Sequence, residues 1–244
     1  MEIEQPAFVL HSRAYRETSA LVTFFSPQYG KFNGIVRGVR GGRKTASQKS
    51  ALLQPFQLLT LQWRERANKA SDLVSIHQFE RASLYFPLAG EASICGLYLN
   101  ELLYRLLFSQ VATEPLFEQY QQTLYQLLAA KTRNEQAWAL RLFEYHLLNE
   151  LGQGVVCDED MVQQPINTEI NYYFYPESGA VSVEQDGLAT GVLISGRSLM
   201  ALAEQRYYEP SLPQLKQLLR AVLTPYLGKK PIMTRQLFGC FKRN

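Results

Sequence analysis

At 244 residues, 46% of them apolar, the chain can bury one large core or two modest ones, which excludes a disordered or peptide-sized protein. The formal charge of +3 hides an asymmetry: residues 1–70 carry eleven Lys/Arg against four Asp/Glu, and the remainder fourteen against eighteen. Three widely spaced cysteines, two acids in "MEIEQPAFVL" where a signal peptide needs a basic region, and no run of ~18 uncharged apolar residues predict a reduced, cytoplasmic protein without a membrane span.

The first eighty residues read as strands: "AFVLHSRAY", "ALVTFFS", a turn at "PQYG", "KFNGIVRGVR", "FQLLTLQWRER" and "DLVSIHQFE". Alternation such as Leu59, Leu61 and Trp63 against Thr60 and Gln62, with turn residues between the runs, predicts five short strands and a small closed barrel. Beyond "LYFPLAGE" the period becomes helical. "SICGLYLNELLYRLLF" is apolar around most of its circumference, Phe117, Tyr120, Leu124 and Leu127 form one stripe, and Leu140, Phe143, Leu147 and Leu151 another. Three helices are thus expected from about residue 91 to 151, with Gly152 in the left-handed position that ends the last. Residues 153–194 turn β-rich again, with a hairpin around Pro-Glu-Ser-Gly. Helix returns from "SGRSLMALAEQ" to "LPQLKQLLRAVLTPYLG", with a stripe of Leu212, Leu215, Leu219, Val222 and Tyr226.

The sharpest chemical signal is "IVRGVRGGRKTASQKSALLQPF". It holds Arg37, Arg40, Arg43, Lys44 and Lys49, and no acid occurs between Thr18 and Arg64. Gly38-x-x-x-x-Arg43-Lys44-Thr45 falls one residue short of a phosphate-binding P-loop, because Arg stands where a small residue must let the backbone wrap phosphate. A nucleic-acid surface asks less, since each cation releases counterions from a phosphate without a fixed geometry. On a strand over 31–40, Lys31, Asn33, Ile35 and Arg37 share the outward face, while Phe32 and Val36 point into the barrel and Arg40 leaves it. His11, His77 and His146 fall on two strands and a helix with no Cys or carboxylate pair at ligand spacing. "CDED" (157–160) reads as a solvated acidic turn, because consecutive side chains do not converge on one ion. Neither a catalytic residue nor a cofactor is expected.

In their order, "AFVLHSRAYRETS", "GKFNGIVRGVRGGRK", "ALLQPF", "GLYLNELLYRLL", "RLFEYHLLNELG" and "LTPYLGKKPIMTRQLF" resemble the RecO family of bacterial recombination mediators, of the enterobacterial type, over essentially the whole chain. The resemblance implies an α+β multidomain chain: an N-terminal OB-fold barrel at 1–80, then a mainly helical domain at 81–244 with a small β-hairpin insertion at about 153–194. It implies binding of single- and double-stranded DNA, annealing of complementary strands, and work with RecR and the single-stranded DNA-binding protein in loading RecA, in a nucleoid-associated cytoplasmic setting. Lys31, Arg37, Arg40, Arg43, Lys44 and Lys49 occupy the family's basic stretch and are the expected DNA contacts. The acidic, apolar tail of the single-stranded DNA-binding protein is expected on the helical domain, with Arg105, Lys131, Arg133 and Arg141 as candidate cations. Many members carry a four-cysteine zinc module where this chain keeps only Cys157, so no metal is expected. The alternatives are a protein adaptor that does not touch DNA and a nucleotide-driven enzyme resting on the imperfect P-loop.

Overall fold

The computed structural model describes residues 2–41, 44–64 and 73–241. Strands β1 (Glu2–Tyr15), β2 (Ser19–Ser26) and β3 (Gly30–Val36) form an antiparallel meander. After helix α1 (Lys44–Leu52), strands β4 (Leu58–Arg64) and β5 (Leu73–Arg81) close a barrel in the order β1-β2-β3-β5-β4, with β3 and β5 parallel. Five strands closed in that order make the small barrel that the alternation predicts, OB-like as the family resemblance implies.

Period-two alternation decides what fills it. Phe32, Gly34 and Val36 of β3 are buried while Lys31, Asn33 and Ile35 lie outside. Phe24 and Trp63 stack on Phe32 at centroid distances of 5.5 and 5.3 Å. Each such ring, fully buried, contributes roughly 2 kcal/mol by leaving water. A β-bulge between Val9 and His11 interrupts the alternation of β1. Ala7 and Val9 belong to the barrel core, whereas Phe8, although buried, meets rings of the helices.

Two compact units emerge, residues 1–128 with 232–244, and residues 129–231. The first adds α2 (Gly90–Leu106), α3 (Glu114–Ala129) and α7 (Thr234–Phe241) to the barrel. Its outer apolar face is covered by α3: Phe8 lies 5.2 Å from Phe117 and 4.9 Å from Tyr120, and Phe25 lies 5.6 Å from Phe117. Asn100 of α2 donates from Nδ2 to the Leu10 carbonyl at 2.9 Å and accepts the Tyr120 hydroxyl on Oδ1, so both buried polar groups are satisfied. Burial pushes the Tyr120 phenol far above its ordinary range.

The second unit holds α4 (Arg133–Glu150), a sheet of β6 (Asn171–Tyr175), β7 (Gly179–Ser182) and β8 (Val192–Ser195) in the order β7-β6-β8, then α5 (Gly196–Ala203) and α6 (Leu212–Leu227). Thr132 caps α4 by accepting the Glu135 amide at 3.2 Å, and Gly152 takes φ +71° just beyond its end. The hairpin turns at Pro176–Ser178 as expected, and β8 adds a third strand that the sequence reading lacks. Tyr226 departs from its expected place on the buried stripe of α6. It is 46% exposed, and its hydroxyl reaches the Gln153 side chain, which keeps the polar tip of the ring in water. Among the described residues no helix is long and apolar enough to cross a membrane.

Candidate nucleic-acid interface

The basic segment begins where β3 ends, and over Gly38–Arg40 its backbone is pinned by hydrogen bonds. Gly38 has φ +67°, which reverses the chain so that Val39 re-enters and fills the barrel end at 1% exposure. The amides of Val39 and Arg40 both donate to the Thr18 carbonyl, at 3.0 and 3.2 Å, tying this turn to the one between β1 and β2. From that turn Arg16 offers its own carbonyl to Arg40 Nη1 at 3.0 Å, while its guanidinium lies 5.2 Å from the centre of the Tyr15 ring.

Arg37 and Arg40 are exposed here, as expected, and the β1–β2 pairing brings Arg13 and Arg16, also exposed, to the same end. The latter two were missed because membership depends on strand register: Arg13 lies opposite Leu21, which lies opposite Ile35. Glu17 is the acid of this turn, and none follows until the segment has passed through β4. Lys44 and Lys49 are exposed on α1, a nine-residue helix in which Ala46 alone is buried. Lys44 stands in the first turn with no acidic residue beside it, adding its charge to the positive end of the helix dipole. Arg43 lies outside the described residues. The arrangement can hold a polyanion: cations on two turns and a helix, with their backbones fixed by hydrogen bonds.

Lys31 is placed differently. Its ammonium donates to the Tyr104 carbonyl at 2.6 Å and sits 5.7 Å from the centre of that ring, and burial holds its pKa below the usual lysine range. The four cations expected to meet a protein tail are divided between the two units. Arg105 is half-buried in the first unit, 3.4 Å from Glu101, whereas Lys131, Arg133 and Arg141 belong to the second. Lys131 and Arg133 are exposed, but Arg141 is buried and paired with Glu144 at 2.8 Å.

Among the described residues no group of three or more His, Cys, Asp or Glu side chains is gathered as for a metal ion. Cys157 is buried, which pushes its thiol up to about 12 with help from the Asp158 charge. Asp160 closes the acidic turn on itself, accepting the amides of Val162 and Gln164 at 3.0 and 2.9 Å. His11 and His77 are exposed, and His146 contacts Gln205 at 3.3 Å, with burial lowering its pKa.

Comparison with known proteins agrees with this architecture. Two family models match in order, Recombination protein O N terminal over residues 1–85 and Recombination protein O C terminal over residues 88–236. The chain is 39% identical to the DNA repair protein RecO of Stutzerimonas stutzeri (strain A1501) over 243 residues, covering 99% of this chain and 96% of the relative. It is 41% identical to the protein of that name from Nitrosococcus oceani over 241 residues, covering 98% and 94%. With the protein of that name from Pseudomonas aeruginosa (strain UCBPP-PA14) it shares 40% over 235 residues, covering 96% and 94%. Matched along nearly its whole length by both halves of one family, the chain belongs to the RecO family.

Proposed function

We propose that the chain is a non-enzymatic DNA-binding and strand-annealing protein of recombinational repair, and that the basic end of its barrel is the main DNA surface. The observation that carries the reading is the convergence of Arg13, Arg16, Arg37 and Arg40 on one barrel end, in a chain with no acid from residue 18 to 64. Two complementary strands repel one another. A surface that neutralises phosphates while leaving base edges free lowers that repulsion without bond-making, ATP or metal. Work with RecR, with the tail of the single-stranded DNA-binding protein and, through them, with RecA follows from the family likeness. Lys131 and Arg133 are the exposed cations of the helical region that suit such a tail. Membership of the zinc-less subgroup is part of the same reading, supported by the lone, buried Cys157.

The test is oligonucleotide binding by the purified protein across a salt series. If about four to six phosphates are neutralised, log K against log salt slopes by roughly −3 to −4 on single strands. Replacing Arg37, Arg40 and Lys44 by Ala flattens that slope by about 2. An unchanged slope and affinity would move the DNA surface elsewhere, and no binding by the wild type would favour the adaptor reading. Lys44→Arg, which would cripple a true P-loop, leaves annealing nearly intact.

A further inference from the structure

From the far end of β3 the structure points to a second, uncharged part of the same surface, and this inference rests on the DNA-binding reading above. We infer that Tyr104 and Phe108, at the end of α2, form a base-stacking platform for single-stranded DNA.

The connection between α2 and α3 is riveted to the barrel. The Gln110 amide donates to the Lys31 carbonyl at 2.8 Å and the Thr113 amide to the Pro27 carbonyl at 3.1 Å. Gly30, at φ +58°, lies so close to this connection that a Cβ there would fall 1.8 Å from the Val111 carbonyl oxygen. The buried Leu106 and Leu107 anchor the segment on its other side. Phe108 therefore stands on a fixed backbone, and at 76% exposure it is the most exposed large apolar side chain among the described residues. Tyr104 is 49% exposed and Val111 55%. Beside Tyr104 are one cation and a further ring: Lys31 Nζ lies 5.7 Å from the centre of the Tyr104 ring, and the His11 ring lies 5.8 Å from it.

Exposed rings edged by a lysine, on a face that continues to the arginines of the basic end, match the two chemistries of single-strand binding, π-faces for bases and charge for phosphates. The surface is continuous with the basic end. Lys31 stands near the start of β3 and Arg37 just beyond its end, roughly 20 Å apart at strand rise. Between them the outward row Arg13, Leu21, Ile35 and Ser75 and the neighbouring row His11, Thr23, Asn33 and Leu73 run across four strands. A strand whose phosphates lie on Arg37 and Arg40 reaches the platform within the ~4–16 nucleotides that one OB-fold accommodates. Duplex DNA, with its bases already stacked on one another, gains nothing there.

The experiment compares oligothymidylate with an abasic oligomer of the same length and with a duplex, using the full chain, its Phe108→Ala variant and its Phe108→Trp variant. The wild type is expected to prefer thymidylate to the abasic strand by about tenfold. Phe108→Ala loses most of that preference, with abasic affinity, duplex affinity and salt slope unchanged, and Phe108→Trp restores it. A wild type that binds DNA without preferring bases, or a Phe108→Ala that binds thymidylate like the wild type or loses all three ligands alike, overturns the platform and leaves the basic surface standing. A wild type that binds none of the three overturns both.

Discussion

Arg141 is a cation that its sequence neighbourhood offers to a partner and its fold keeps for itself. It lies on α4, buried, with Nη2 2.8 Å from a Glu144 oxygen, and among the described residues its Nε finds no hydrogen-bond partner. A buried pair of this kind is costly to form and more costly to halve, because the surviving charge cannot return to water. Arg141→Ala is expected to destabilise the protein by about 3 kcal/mol or more, read as a shift in urea midpoint at unchanged m-value. Arg141→Met with Glu144→Leu recovers most of the loss, since it removes both charges and keeps the packing. If Arg141→Ala unfolds at the wild-type midpoint, the pair is solvated and the residue is available for docking. Lys31 differs: its ammonium is bonded to the Tyr104 carbonyl, but the residue is only half-buried and its charge stays at the surface. The partner of Arg141 stands three residues on along the same helix, whereas that of Lys31 is not visible from its surroundings in sequence: Lys31 meets a carbonyl 73 positions away.

Helix α7 shows how an element can depend on a distant side chain. Its first amides would be left without acceptors, but Glu101 of α2 accepts Met233 N at 2.8 Å, Thr234 N at 2.9 Å and the Thr234 hydroxyl at 2.8 Å. Burial by itself would raise the Glu101 carboxyl. The amides of Thr234 and Met233, the Thr234 hydroxyl and Arg105 outweigh it and hold the carboxyl below its ordinary range. A depressed carboxylate gives stability that is full above its unfolded value, about 4.3, and is lost as pH falls through the lower folded value. Amide hydrogen exchange over residues 233–238 should therefore show protection at neutral pH that disappears in acid, and Glu101→Gln should release it already at neutral pH. Undiminished protection in that variant would mean that α7 is held by its apolar face alone.

The elements that were legible are those with a long internal period. Alternation on β3 predicted which of Lys31 to Val36 face inward, and the stripe Phe117, Tyr120, Leu124, Leu127 predicted the buried side of α3. Four-residue β8 is too short to show a period, and neither the Glu101 cap nor the docking of the α2–α3 connection has a local signature, because their partners lie far away in sequence. The basic end was half legible for the same reason. Arg37 and Arg40 declare themselves by density of charge, while Arg13 and Arg16 join only through strand pairing.

On the scale of the whole chain, the two family models meet between residues 85 and 88, whereas the compact unit that contains the barrel continues to residue 128 and resumes at 232. A chain cut after residue 85 would bare Phe8 and Phe25, which α3 covers, and would leave the Leu10 carbonyl without the Asn100 amide. Such a fragment is expected to bind a hydrophobic dye and lack a near-UV dichroism signal, as loosely packed states do, whereas a chain cut after residue 130 keeps the aromatic contacts of Phe8 and Phe25, and with them a near-UV signal, and loses α7. A well-packed fragment 1–85 would show that the barrel needs no cover. The seam between the two family models is thus a boundary of description, and heredity has to respect a different one. Were barrels exchanged between related genes at that seam, the incoming Phe8 and Phe25 positions would meet foreign counterparts of Phe117 and Tyr120. Changes on the two sides of that aromatic contact should accordingly be inherited together, the strand and its helix drifting as one.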